Sequence, residues 1–117
     1  MPERCLMRIT INGEAARSCL MLAVQAAGHA ITTIEGLSNP DTLTPLQEAF
    51  RKHGALQCGF CTPGMIVTAH ALLSADPDAD ADTIRDMLSG NLCRCTGYIS
   101  IIEAVLDARA AYREARA

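Results

Sequence analysis

The sequence predicts a mainly α fold, a four-helix bundle preceded by a short β segment. Half of the 117 residues are apolar, with nineteen Ala, two Phe, two Tyr and no Trp. A core of such small side chains must pack closely, which suits helices better than a sandwich. Helix-start and helix-stop signals follow one another through the second half of the chain. Two junctions in that half repeat the same pattern of cysteine, threonine and glycine, which predicts two helical hairpins related by an approximate two-fold axis.

Residues 1–38 are predicted to form the β segment. A weakly alternating run ends in Asn12-Gly13, a strong signal for a hairpin turn. The β-branched run 31–34 predicts another strand. Because Asn39-Pro40-Asp41 interrupts any regular structure, we place the boundary there and assign residues 41–117 to the helical domain.

Four helices are predicted beyond this boundary. The first begins with a capping box formed by Thr44 and Gln47, and the second begins at Thr62. The second is apolar nearly all round, so it should be the central, buried helix. The third runs over about residues 80–89, and the fourth starts with Ser100 as its cap. The side chains predicted to face inward from the first, third and fourth helices are Leu46, Ala49, Phe50, Ile84, Met87, Leu88, Ile102, Val105 and Leu106.

The composition argues against several functional classes. Ten Lys and Arg against thirteen Asp and Glu give a net charge of −3, without the basic stripe that a nucleic-acid surface requires. We find no apolar run of the roughly 18 residues that a membrane span needs, and no signal peptide. A cytoplasmic location follows as an expectation. Six Cys in a reducing compartment point to metal or redox chemistry rather than to disulfides.

Four of these cysteines lie at the two repeated junctions. Cys58 and Cys61 occupy the first junction, and Cys93 and Cys95 occupy the second. The hairpins should bring the four sulfur atoms together at one end of the bundle. Cys61 and Cys95 are predicted to precede helix starts directly, where free N–H groups and the helix dipole lower the pKa of a thiol.

The cysteine spacing leaves more than one ligand open. Structural zinc sites usually pair cysteines as Cys-x₂₋₄-Cys, so the Cys-x-Cys of the second junction favours an iron–sulfur cluster over zinc. A zinc-thiolate structural or interaction module remains the alternative. Disulfides would require export, which nothing in the sequence marks, and packing alone rarely places four cysteines at repeated junctions.

Other candidate residues lack a convincing partner. His29, His53 and His70 have no metal-pair spacing, and His70 is predicted to be a hydrogen-bonded residue of the bundle edge. The acidic run over residues 76–82 lacks the central Gly and closing Glu of a calcium loop, which favours a solvated loop. No phosphate-binding loop is present, and no residue qualifies as a catalytic acid or base.

The two junction motifs resemble those of a known family. They read Gln-Cys-Gly-Phe-Cys-Thr-Pro-Gly-Met from Gln57 and Gly-Asn-Leu-Cys-Arg-Cys-Thr-Gly-Tyr from Gly90. They are similar to the iron–sulfur subunit of the xanthine oxidase family of molybdenum hydroxylases. That family includes the small subunit of carbon monoxide dehydrogenase, the α subunit of isoquinoline 1-oxidoreductase and aldehyde oxidoreductases. The resemblance implies a [2Fe–2S] cluster rather than zinc, with Cys58, Cys61, Cys93 and Cys95 as ligands.

The resemblance also implies a role and partners. By this resemblance the chain would be the electron-transfer subunit of a molybdenum-containing oxidoreductase complex. That complex would be a molybdopterin-dependent hydroxylase or dehydrogenase. The chain would take electrons from the molybdenum centre of a large subunit and would carry no substrate site itself. Gln57 and Cys95 would lie against the molybdopterin. An FAD-binding or cytochrome subunit would be a further partner.

The resemblance implies that residues 1–38 are the end of a plant-ferredoxin-like, β-grasp domain. Cys19 matches the fourth ligand of a second cluster in that domain. The second and third ligands would fall at Arg4 and Met7, and Cys5 is out of register by one residue. We therefore expect a truncated domain and one cluster on this chain; an inert remnant is a further alternative.

Overall fold

The computed structural model describes residues 8–37, 41–91, 93 and 95–116. Within these ranges, three strands and five α-helices follow in chain order: β1 Arg8–Ile11, β2 Glu14–Arg17, β3 Ile31–Thr32, α1 Ile34–Leu37, α2 Pro45–Lys52, α3 Thr62–Ala75, α4 Ala81–Leu88 and α5 Ile99–Arg116. The mainly α prediction is confirmed. Arg4, Cys5, Met7, Asn39 and Pro40 lie outside the described residues, as do Leu92 and Arg94.

The β segment is a three-stranded antiparallel sheet in the order β2-β1-β3. Asn12 and Gly13 both adopt positive φ, 53° and 89°, as a two-residue hairpin turn requires, so the predicted turn is confirmed. The predicted strand over 31–34 is wrong beyond Thr32. The Thr33 carbonyl accepts a hydrogen bond from the Gly36 amide at 3.0 Å, and this turn begins α1 instead.

Helices α2 to α5 form the predicted bundle. The capping box at the start of α2 is confirmed, because the Thr44 amide donates to Gln47 Oε1 at 2.9 Å and the Gln47 amide donates to Thr44 Oγ1 at 3.3 Å. Helix α2 packs on α5, and α3 contacts the other three helices. Helix α3 also contacts β1 and β2, so it joins the sheet to the bundle as the central element.

Three details of the helices differ from the predictions. Helix α5 begins at Ile99, one residue before the predicted cap Ser100, because the Tyr98 carbonyl already accepts the first helical bond from the Ile102 amide. Met87 is 38% exposed, since only Ile84 and Leu88 on α4 are buried in the core. Leu106 is partly buried at the edge of the core.

No α-helix in the described ranges combines the length and the apolar character that crossing a membrane would require.

Candidate metal centre

Two loops at one end of the bundle bring the four predicted cysteines together. Residues 53–61 join α2 to α3, and residues 89–98 join α4 to α5. The Sγ atoms of Cys58 and Cys95 lie 3.7 Å apart. The Cys61 and Cys93 thiols lie close enough that each shifts the pKa of the other. Each of these two thiol pairs therefore takes one cysteine from each loop.

The two pairs differ in exposure. We call Cys61 and Cys93 the inner pair, because Cys61 is buried and Cys93 is half-buried. Cys58 and Cys95 form the outer pair and are exposed. The exposed Gln57 side chain ties the loops together, since its Nε2 donates to the Cys95 carbonyl at 3.0 Å. The outer pair and Gln57 thus share one accessible face.

Backbone and hydroxyl groups surround the sulfur atoms. The Phe60 amide donates to Cys58 Sγ at 3.5 Å, and Thr96 Oγ1 lies 3.3 Å from Cys93 Sγ. Hydrogen bonds of this kind favour the anionic form of a thiol. The Thr96 contact therefore favours the thiolate form of Cys93.

Tyr98 fixes the shape of the second loop. Its hydroxyl accepts a hydrogen bond from the Cys93 amide at 2.8 Å and donates one to the Asn91 carbonyl at 3.0 Å. Its φ of 75° is unusual for a bulky residue, and the preceding Gly97 also has a positive φ of 70°. The two consecutive left-handed residues turn the chain so that the ring returns over its own loop.

A buried polar pair supports this loop from below. Asn91 and Thr68 are both fully buried, and Thr68 Oγ1 donates to Asn91 Oδ1 at 3.1 Å. The sequence reasoning did not single out either residue. The signal that could have identified this pair is Thr68 among the apolar residues of α3, because a buried hydroxyl needs a hydrogen-bond partner.

The thiol pKa values differ from the prediction that Cys61 and Cys95 would be the acidic thiols. Burial, followed by the hydrogen bond to Cys93, raises the pKa of Cys61 to about 12. The hydrogen bond to Cys58 raises the pKa of Cys95. Burial also acts to raise the pKa of Cys93, but hydrogen bonds from Thr96 and Cys61 outweigh it and leave that pKa at about 7.

The physical reason lies in the positions of the thiols. Cys61 is the cap residue of α3, yet neighbouring sulfur atoms and burial oppose its charge more than the helix favours it. Cys95 stands four residues before α5 rather than directly at its start. The prediction that both residues directly precede a helix is therefore correct for Cys61 and wrong for Cys95.

The donor set fits a binuclear iron–sulfur cluster. Such a cluster is held by four cysteine thiolates, which the two inter-loop pairs would supply. Among the residues that the structure describes, no group of three or more His, Cys, Asp or Glu side chains is placed to hold one metal ion.

The remaining candidates have partners other than the four cysteines. His70 Nδ1 is hydrogen bonded to the Tyr112 hydroxyl at 2.6 Å, as predicted for the bundle edge. His53 pairs with Asp107, and His29 with Asn12. Cys19 is exposed on a 3₁₀ turn of the β segment.

Comparison with known proteins identifies the family. The model of the family described as "[2Fe-2S] binding domain" matches residues 33–106, more than half of the chain. The chain belongs to the [2Fe-2S] binding domain family. Helices α2, α3 and α4 and both cysteine loops of this [2Fe-2S] binding domain lie within the matched residues.

Individual relatives agree with this assignment. The chain is 56% identical over 100 residues to the nicotine 6-hydroxylase small subunit of Paenarthrobacter nicotinovorans, covering 86% of this chain and 60% of that protein. It is 54% identical over 100 residues to caffeine dehydrogenase subunit gamma of a Pseudomonas strain, covering 83% and 60%. The chain thus spans about 60% of the length of the curated relatives it matches. The family predicted from the two motifs is confirmed.

Solved structures share the fold. The crystal structure of quinoline 2-oxidoreductase from Pseudomonas putida 86 matches with a TM-score of 0.87 and 48% identity, over 98% of this chain and 74% of that chain. This similarity includes the β segment as well as the bundle, because nearly the whole chain is covered.

Proposed function

We propose that the [2Fe-2S] binding domain is an electron-transfer unit in which Cys58, Cys61, Cys93 and Cys95 hold one [2Fe–2S] cluster. The observation that carries the proposal is the pairing of thiols between the two loops, Cys58 with Cys95 and Cys61 with Cys93. When bound, such a cluster accepts and donates single electrons. No catalytic residue is assigned to this chain.

The chain's own groups hold and shield the redox centre. In the inner pair Cys61 is buried and Cys93 is half-buried, which limits the contact of these two sulfur atoms with water. The Phe60 amide and the Thr96 hydroxyl donate to sulfur atoms and so stabilise their negative charge. The outer pair stays accessible, as electron transfer to a partner requires.

The exposed face beside the outer pair suits a large protein partner. Phe60 is 76% exposed and lies between Cys58 and Cys61, and Ile99 is 70% exposed and follows Cys95 by four residues. Exposed apolar side chains around a polar centre are typical of interaction surfaces. We assign this face to a large molybdopterin-binding subunit, with Gln57 and Cys95 against the pterin. A Gln side chain both donates and accepts hydrogen bonds, as a pterin edge requires.

The complex would be a molybdenum-containing hydroxylase or dehydrogenase of the cytoplasm. Relatives named as a hydroxylase small subunit and a dehydrogenase subunit support this reaction class. An FAD-binding or cytochrome subunit would receive the electrons in turn. Within the chain, we divide residues 1–38, a ferredoxin-like β segment, from the cluster-binding domain of residues 41–117.

The cysteine ligands are tested by single Ser substitutions in the full chain, loaded with iron and sulfide. The wild type should show the visible absorption of a [2Fe–2S] cluster and about two irons per chain. Cys58→Ser, Cys61→Ser, Cys93→Ser and Cys95→Ser should each bleach or strongly shift that absorption. Cys19→Ser is the matched control, because this cysteine lies in the β segment, and should leave the spectrum unchanged.

Two outcomes would contradict the ligand assignment. Unchanged spectra in all four Ser variants would show that other residues hold the iron. A colourless wild type that binds zinc under iron-replete conditions would favour a zinc-thiolate module instead. Four irons per chain with two paramagnetic signals on reduction would contradict the single cluster.

The role of Gln57 is tested in the assembled complex by Gln57→Ala. Loss of the side-chain amide should slow reduction of the cluster by the substrate while leaving reduction by dithionite unchanged. The matched control is Gln25→Ala, on a 3₁₀ turn of the β segment. Normal substrate-driven reduction in Gln57→Ala would reject the pterin contact.

A further inference from the structure

Two arginines of the β segment converge on one carbonyl at the start of the second cysteine loop. Arg8 Nη2 donates to the Gly90 carbonyl at 3.0 Å, and Arg17 Nη2 donates to the same oxygen at 2.8 Å. Both hydrogen bonds are partly buried and join residues more than seventy positions apart. They link the sheet directly to the segment that leads to Cys93.

The arrangement brings two like charges together. Arg8 and Arg17 are directly paired across β1 and β2, a placement that is destabilising for two cations in isolation. Arg17 takes part in none of the ion pairs found among the described residues. The carbonyl lies just beyond the C-terminus of α4, where the helix dipole favours cations.

The backbone at Gly90 leaves room for this contact. A Cβ atom at this position would lie 2.6 Å from Arg8 Nη2 and 3.3 Å from Arg17 Nη2. Any side chain would displace at least one guanidinium group. The absence of a side chain at Gly90 therefore lets both cations reach the loop.

The carbonyl that binds both arginines lies close to Cys93 along the chain. Gly90 precedes Cys93 by three residues, so their Cα atoms are at most about 11 Å apart. Between them, Asn91 is buried and bonded to Thr68, which holds this stretch in place. A partly buried cation bound to this segment is screened by salt less than an exposed cation would be.

We propose that Arg8 and Arg17 form a cationic clamp that raises the reduction potential of the cluster held by the cysteine loops. This inference rests on the proposed ligands. Two ferric ions, two sulfides and four thiolates carry a net negative charge, and one-electron reduction to the ferric–ferrous form makes that charge more negative by one. Nearby cations stabilise the reduced form more than the oxidised form, and the chain becomes a better electron acceptor.

The test is a redox titration of the full chain with its cluster, using dithionite as the electron donor and mediators, followed by EPR. Arg17→Gln should lower the reduction equilibrium constant by about tenfold, which is about 59 mV for a one-electron couple. Arg17→Lys keeps the charge and should stay near the wild-type potential. Arg113→Gln is the matched control. Arg113 lies fourteen residues along α5 from Ile99, so it is about 21 Å from the end of the helix that follows the second cysteine loop. Its side chain pairs with Asp78 at 2.5 Å.

The outcomes separate this inference from the proposed function. Absence of a cluster from the wild type contradicts the ligands themselves. A wild-type cluster whose potential is the same in Arg17→Gln, or shifts equally in Arg113→Gln, contradicts the clamp. If Arg17→Gln does not hold a cluster, Arg8→Gln provides the same comparison, because the Arg8 side chain donates to the same Gly90 carbonyl. Failure of both Gln variants to hold a cluster would reject the redox role in favour of a purely structural one.

Discussion

At Tyr98 a single side chain sets the geometry of the second cysteine loop. Its φ of 75° is costly for a bulky residue, and such strain persists where surrounding contacts compensate for it. The compensation here comes from the hydroxyl, which bonds to the Cys93 amide and the Asn91 carbonyl. The polar tip of this aromatic side chain is therefore what holds the loop.

Tyr98→Phe should lower the free energy of unfolding by about 1–3 kcal/mol, because the Cys93 amide loses its acceptor. The same variant should lose iron to a chelator faster than the wild type. Tyr112→Phe removes a hydroxyl that bonds to His70 instead, so it should leave the rate of iron loss unchanged. Denaturant unfolding and chelator-induced bleaching measure the two effects, and equal bleaching rates in all three proteins would contradict this role.

The cysteine thiols show why pKa arguments from sequence fail at this scale. Proximity to a helix start can be inferred from the chain, but burial and contacts between thiols from different loops cannot. Burial, followed by the contact with Cys93, raises the pKa of Cys61 to about 12. At Cys93 burial acts in the same direction, but the hydrogen bonds from Thr96 and Cys61 outweigh it and leave the pKa at about 7. The thiol that ionises most easily is therefore one that the sequence argument did not select.

Helices α3 and α5 are joined by a polar contact at the edge of an apolar cavity. The His70–Tyr112 hydrogen bond of 2.6 Å crosses between them, and both side chains line a cavity of about 240 Å³. Burial lowers the pKa of His70 and raises the pKa of Tyr112 to about 12. Both shifts favour the neutral forms of the two side chains, so burial between these helices opposes protonation of His70.

This pair predicts a pH dependence of stability. Because the pKa of His70 is lower in the folded state, the unfolded state binds the proton more tightly. The free energy of unfolding therefore rises with pH between the folded and the unfolded pKa of His70. The free energy of unfolding should fall as pH decreases below about 6.5, the ordinary His value, and level off below the folded pKa. Denaturant unfolding at a series of pH values should show this slope in the wild type and a smaller one in His70→Gln.

The control for this prediction is His29→Gln, at an exposed histidine of the β segment that bonds to Asn12. It should retain the slope of the wild type between about pH 5 and 7. A slope that is the same in wild type and His70→Gln would show that other groups cause the acid sensitivity.

Across the whole molecule, α3 connects the sheet, the other helices and both cysteine loops. Nine of its fourteen residues are buried, among them Met65, Val67 and Leu73, whose side chains are not exposed to solvent. Cys61 caps its first turn, and Thr68 supports Asn91 in the other loop. The same helix that forms the core therefore also positions both halves of the thiol site.

The sequence by itself determined the helices, the hairpin turn and the family, because these depend on local signals. The capping box at Thr44 and the turn at Asn12 involve residues within a few positions of each other. The two cysteine motifs are equally local, and they are long enough to be specific. Each could be recognised without knowing where any other part of the chain lies.

Only the tertiary structure decided which groups meet across the chain. The pairing of Cys58 with Cys95, the bond from Thr68 to Asn91, and the convergence of Arg8 and Arg17 on Gly90 each join distant residues. Such contacts depend on how the sheet and the two hairpins pack on α3, and no local propensity encodes that packing. Burial and electrostatic environment arise from it, so thiol acidity and the charge around the loops could be obtained only from the folded chain.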